Sequence, residues 1–212
     1  MASAVTACAT ITLKAGQNIE ESQAWKDSLT TISQQAGYQR AYWGREVDNA
    51  DVVQLLVDWD SIASNGAFIA SPAYASFMEN LSTIITDISL HHVQQTTPTG
   101  PHTLLTSAPV TEVLTLYACD PSYVAEKVQP FAAAIAAAKP AGYRGYVVGD
   151  VVEEIEKKDG TANGKGVKLF IGWDSKELHE QAKASDLLKE SVGLLKGGSG
   201  GAEMSYVSFK LF

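Results

Sequence analysis

GYQRAYWGREV, running from Gly37 to Val47, is echoed by GYRGYVVGDVV from Gly142 to Val152. An offset of 105 positions pairs Gly37 with Gly142, Tyr38 with Tyr143, Gly44 with Gly149 and Val47 with Val152. A second echo follows at an offset of 114, where WDSIASNGAFIAS from Trp59 lies on WDSKELHEQAKAS from Trp173 with five identities in thirteen ungapped positions. The change of offset falls within EEIEKKDGTANGKG, a charged, Gly-containing stretch between two strand-like runs, where a longer hairpin costs little closure entropy. The chain therefore reads as a tandem duplication.

Periodicity changes in the same order in both copies. In the first, Val5, Ala7, Ala9, Ile11 and Leu13 share one face of a strand, and helical spacing follows from Asn18 to about Ala36. Strand-like runs cover Tyr38 to Val47 and Val52 to Trp59, then a helix led by Ser71-Pro72 and a strand from Ile88 to Gln94. The second copy has a strand from Val110 to Cys119, a helix after Asp120-Pro121, a hairpin from Tyr143 to Trp173, a helix from Ser175 and a strand from Met204 to Leu211. Each copy is thus a βαββαβ unit: 1–96 and 110–212, joined by a Pro-, Thr- and Gly-rich linker at 97–109. One such unit covers only one face of its antiparallel sheet with helices, so the expected fold is α+β, two tandem ferredoxin-like units packed sheet to sheet.

Composition narrows the partners. With 16 basic and 24 acidic residues the net charge is −8, which disfavours nucleic acid and anionic membranes. The longest apolar run, FAAAIAAA from Phe131, is too short to span a bilayer, and MASAVTACATITLKAG lacks the basic and unbroken apolar regions of a secretory signal. Cys8 and Cys119 are the only cysteines and have no metal-ligand spacing, so a reducing, cytoplasmic setting without structural zinc is expected.

A strand ending in Trp-Asp-Ser, followed by a helix carrying ELHEQAKAS, resembles the Trp-x-Ser, His, Ser signature of the dimeric α/β barrel superfamily, especially its antibiotic biosynthesis monooxygenase branch. The resemblance covers both copies and implies an intrachain dimeric α/β barrel. The superfamily includes quinone-forming oxygenases, haem-degrading enzymes and polyketide cyclases, so fold alone does not choose the chemistry. The motif histidine is His179; Asn65 stands at its place in the first copy.

Trp59 and Trp173 end equivalent strands, as core anchors or as stacking surfaces for a substrate. Tyr38 and Tyr143 are matched, which favours a shared structural role, while Tyr42 and Trp43 are unmatched and face opposite sides of their strand. Trp43 fits a substrate pocket or the interface between the sheets. His91 and His92 also face opposite sides; aligning Ser89 with Ser205 sets them against Val207 and Ser208. His92 is the preferred base in the first copy and His179 the candidate in the second. Trp59, Asn65, His92 and His179 are the candidate catalytic groups, and Tyr38, Tyr42, Trp43, His91, Tyr143 and Trp173 the candidate substrate contacts.

Neighbouring histidines on opposite faces cannot converge on one ion, Glu153, Glu154 and Glu156 read as a solvated face, and no dinucleotide fingerprint or phosphate loop occurs. No metal or cofactor is therefore expected. The resemblance implies a cofactor-independent monooxygenase taking a small, largely apolar metabolite, a phenolic or enolisable polyketide or an oxylipin, together with molecular oxygen. A polyketide cyclase or aldolase and a non-catalytic ligand carrier are the alternatives, and a homodimer is left open.

Overall fold

The computed structural model describes residues 4–95 and 102–212. The chain divides into two compact units, one reaching from the N-terminus to Gln94 and joined by Phe209–Phe212, the other comprising Gln95–Ser208. Residues 97–101 of the expected linker lie outside the described residues. No described helix is long and apolar enough to cross a membrane.

The first unit contains β1 (Val5–Leu13), α1 (Gln23–Ser33), β2 (Tyr38–Arg45), β3 (Val52–Trp59), α2 (Ile62–Ile69), α3 (Pro72–Ser82) and β4 (Ile85–Gln95). Its antiparallel strands lie in the order β4, β1, β3, β2. α1 starts five residues later than its periodicity suggests, because the Ser22 hydroxyl accepts the Trp25 N–H and fixes the cap there. Inward residues of β1 and β3, among them Ala7, Ile11, Val53, Leu55 and Trp59, pack against Trp25, Leu29 and Ile32 of α1 and Phe68 and Phe77 beneath α2 and α3.

The second unit contains α4 (His102–Ser107), β5 (Val110–Tyr117), a short π-helical turn running into α5 (Gln129–Ala138), β6 (Tyr143–Glu156), β7 (Asn163–Trp173), α6 (Lys176–Ala184), α7 (Asp186–Gly193) and β8 (Gly201–Val207). Its order is β8, β5, β7, β6, again antiparallel. α4 falls in the stretch read as linker; its Leu104 and Leu105 are buried, and the bare backbone of Gly172 leaves room for Leu104. The insertion lengthens β6 and β7 themselves, with a register shift between Asp150 and Glu154. β9 (Lys210–Leu211), expected to continue the last strand, pairs instead with β2 in the first unit.

The echoed glycines have one function in both units. Gly37 and Gly142 adopt φ of +85° and +80°, a conformation costly for any residue with a Cβ. Their carbonyls accept the N–H groups of Asp60 and Asp174 at 2.9 and 2.8 Å, tying the start of β2 and β6 to the Trp-Asp-Ser corner. The α+β fold is thus a βαββαβ unit written twice.

Candidate active site

The strand ladders correct the matching of the last strands. Ala7 lies opposite His92 on β1 and β4, and Glu112 lies opposite Tyr206 on β5 and β8. Val5 and Val110 in turn face Trp59 and Trp173. His92 therefore corresponds to Tyr206 rather than to Ser208, Ala7 to Glu112, and Asn65 to His179.

In the second unit these positions form a connected polar group beside an apolar cavity. The Ser175 hydroxyl accepts the Leu178 N–H and starts α6 so that its first turn buries His179 beneath the sheet. The imidazole stacks on Trp173 with ring centres 4.5 Å apart and planes inclined by 22°. His179 Nδ1 lies 2.7 Å from the Tyr206 hydroxyl, which donates to Glu180 Oε1 at 2.8 Å. The Trp173 indole N–H donates to Glu112 Oε2 at 3.3 Å, and His179 Nε2 stands 3.5 Å from the same oxygen.

Burial sets the charge states. It pushes the Glu112 carboxyl up to about 7, against the opposing effects of the Trp173 hydrogen bond and the Lys183 charge. It pushes His179 down to about 4, helped by Lys183. At neutral pH His179 is uncharged, so its approach to Glu112 is not an ion pair.

The cavity measures about 410 Å³, within the range of small-ligand sites. Leu114, Leu116 and Ile171 line it from the sheet and Phe131, Ile135 and Leu188 from the helices; Glu112, Trp173, His179 and Lys183 supply its polar and aromatic wall. In the first unit the corresponding space has shrunk to about 60 Å³. Phe68 and Phe77 occupy positions held by Ala182 and Ser191 at the offset of 114, and Phe68 stacks on Trp59 at 6.1 Å while meeting Tyr74 and Phe77 edge-on. There, buried His92 Nε2 donates to Asn65 Oδ1 at 2.6 Å, and the Trp59 indole N–H has no partner among the described residues. This volume is too small for a polycyclic or lipid substrate.

The other sequence candidates stand apart from both cavities. Trp43 lies on the helix-covered face, edge-on to Trp25 at 5.4 Å and beneath the Lys210 ammonium, rather than in either cavity. Tyr42 pairs with Leu56 on the opposite face and is fully buried, which pushes its phenol up to about 12. His91, opposite Cys8, faces that same side of the sheet. Tyr38 and Tyr143 each meet the corner tryptophan of their unit edge-on, at 6.4 and 5.8 Å, as matched packing residues. Sequence reasoning overlooked Glu112 and Tyr206. The signal for Glu112 was a carboxylate on the inward register of VTEVLTLY, where Leu114 and Leu116 share its face. Among the described residues, no group of three or more His, Cys, Asp and Glu side chains could hold a metal ion.

Residues 4–80 match the sequence model of the antibiotic biosynthesis monooxygenase family. The whole chain resembles the crystal structure of an anthrone oxidase-like protein, with a TM-score of 0.72 at 15% identity over 98% of this chain and 93% of that one. Two proteins described as monooxygenases share the fold: one from Lactobacillus acidophilus, with a TM-score of 0.60 and 11% identity over 99% of this chain and 95% of its own, and one from Fusobacterium nucleatum, with 0.64 and 10% over 99% and 94%. No curated protein matches the chain in sequence. The first unit thus carries a match to the antibiotic biosynthesis monooxygenase family model, and the whole chain shares the fold of an anthrone oxidase-like protein.

Proposed function

We propose that the chain is a cofactor-independent monooxygenase that works in the cavity of the second unit, on a small, largely apolar substrate that ionises at carbon or oxygen. The observation that carries this reading is the Glu112 carboxyl in the wall of a 410 Å³ apolar cavity, with a pKa raised to about 7. A base of that strength is half ionised at neutral pH and matched to proton abstraction from an acidic C–H or phenol. Oxygen is a triplet, and a closed-shell substrate reacts with it slowly until it becomes an electron-rich anion.

For a methylene flanked by aromatic ketone and ring, the steps balance without a further reductant. Glu112 takes one C–H proton, and the carbanion transfers its electron pair stepwise to O₂, forming a C–O bond and a peroxide anion. Glu112 returns its proton to the outer peroxide oxygen. It then takes the second C–H proton as the O–O bond breaks and hydroxide leaves, and that proton converts hydroxide to water. The net change is R₂CH₂ + O₂ → R₂C=O + H₂O. Trp173 and the apolar wall hold a flat substrate away from water. Phenolic or enolisable polyketides meet this electron requirement; an oxylipin meets it only where it carries an enolisable ketone.

The experiment is oxygen uptake by purified protein against anthrones, hydroquinones, polyketides and oxylipins under ¹⁸O₂, with mass analysis of products. Label in the product is expected. Turnover without label would replace the oxygenase with a cyclase or aldolase, and tight binding without turnover would make the protein a ligand carrier.

A further inference from the structure

We propose that Glu112, His179, Tyr206 and Glu180 form a proton relay linking the cavity carboxyl to solvent, so that Glu112 exchanges its proton while substrate fills the cavity. The proposal rests on the reading of Glu112 as the base. An apolar substrate occupying the cavity blocks water from the carboxyl on that side, and Glu112 and His179 are both buried. A route on the other side runs through side chains alone.

Its direction follows from the count of hydrogens. Tyr206 has one hydroxyl proton, and it is given to Glu180 Oε1 at 2.8 Å. The phenol oxygen must then accept from His179, so Nδ1, 2.7 Å away, carries the imidazole proton. Neutral imidazole has only one N–H, which leaves the Nε2 lone pair turned toward Glu112 Oε2 at 3.5 Å. Apo contacts of this length tighten when a site fills. Glu180, at the far end, is exposed, and its carboxyl is held below the ordinary range chiefly by the Tyr206 hydrogen bond.

Export moves one proton at each link. The O–H bond of protonated Glu112 breaks as Nε2–H forms; Nδ1 releases its proton to the Tyr206 oxygen; Tyr206 releases its own to Glu180, which passes it to water. Return by the same links restores the tautomer and delivers the proton that the peroxide needs. Lys183, 3.4 Å from Glu180, and Lys176, over the Tyr206 ring, are the neighbouring charges. All four relay positions differ in the first unit, where Ala7, Asn65, His92 and Gly66 stand in place of Glu112, His179, Tyr206 and Glu180. Neither alanine, glycine nor an amide can carry a proton onward, so the relay is confined to the unit with the large cavity.

The test is anaerobic stopped-flow mixing with anthrone, following anthrone-anion absorbance in the site and proton appearance in solution with a pH-indicator dye. In the unaltered protein the two traces should coincide. In Tyr206→Phe the anion still forms once per site, while proton appearance lags by about tenfold or more and steady turnover falls with it. Glu180→Gln, a surface change that keeps an acceptor for Tyr206, should show the same lag, which covers the case in which Tyr206→Phe fails to fold. Coincident traces in Glu180→Gln or in folded Tyr206→Phe overturn the relay and leave the base reading intact. Anion formation that persists in Glu112→Gln, or its absence from the unaltered protein, overturns the base reading and the relay with it.

Discussion

The Trp173 indole N–H donates to Glu112 at 3.3 Å, whereas the Trp59 indole N–H, at the same corner of the first unit, has no partner among the described residues because Ala7 stands where Glu112 does. One difference at an inward strand position thus gives the second unit a buried carboxyl where the first has an alanine. Glu112→Gln keeps an acceptor for Trp173 and removes the base. Turnover should fall by roughly 10²- to 10³-fold with substrate affinity changed only a few-fold, as measured by steady-state oxygen uptake and calorimetric binding. Loss of affinity in proportion to turnover would instead make Glu112 a binding group.

The difference in cavity volume, about 410 against 60 Å³, has its own test. Ala182→Phe with Ser191→Phe copies the first unit's plug into the second, and should abolish binding of the same substrate while the protein stays folded. The reverse change, Phe68→Ala, removes a ring that touches Trp59, Tyr74 and Phe77. It should cost about 3–5 kcal/mol in urea unfolding and add no activity. An active Phe68→Ala protein, with turnover that survives Glu112→Gln, would move the reaction to the first unit.

The duplication was legible because glycine and capping signals are local: Gly37 and Gly142 recur where the backbone needs positive φ, and Ser61 and Ser175 recur as caps. The site was less legible because it depends on register across strands that are distant in sequence. Ser89 and Ser205 invite an alignment that misplaces His92 by two residues, and only the ladder through Ala7 and Glu112 brings His92 onto Tyr206. Similarly, the aromatic wealth of the first copy looks like a binding inventory in sequence. In three dimensions Phe68, Tyr74 and Phe77 fill one another's space, and the second unit, which has Ala182 and Ser191 at the places of Phe68 and Phe77, has the larger cavity.

Gly37 and Gly66 separate backbone strain from helix propensity within one unit. A Cβ on Gly37 would stand 2.4 Å from Ser64 Cβ at φ of +85°, while one on Gly66, inside α2, meets nothing within 4 Å. Gly37→Ala should destabilise the protein by about 1–3 kcal/mol. Gly66→Ala should stabilise it by about 0.5–1 kcal/mol. Thermal unfolding of the pair side by side checks both signs.

Glu112 and His179 set opposing slopes in the pH dependence of stability. For Glu112, raised from 4.5 to about 7, the unfolded chain holds fewer protons than the folded one between those values, so stability falls as pH rises through that window. For His179, lowered from 6.5 to about 4, the unfolded chain holds more, so stability rises with pH between about 4 and 6.5. Each slope amounts to about 3 kcal/mol in total, and over their shared window they cancel. Burial, helped by Lys183, is what holds His179 down, so the histidine slope should survive when the carboxyl is removed. Glu112→Gln should therefore gain stability steadily from pH 4 to 6.5, where the unaltered protein stays nearly level between pH 4.5 and 6.5. His179→Asn, which copies the first unit, should lose stability from pH 4.5 to 7. Urea unfolding at half-unit pH steps reads both profiles, and profiles parallel to that of the unaltered protein would show that neither group is held away from its ordinary range by burial.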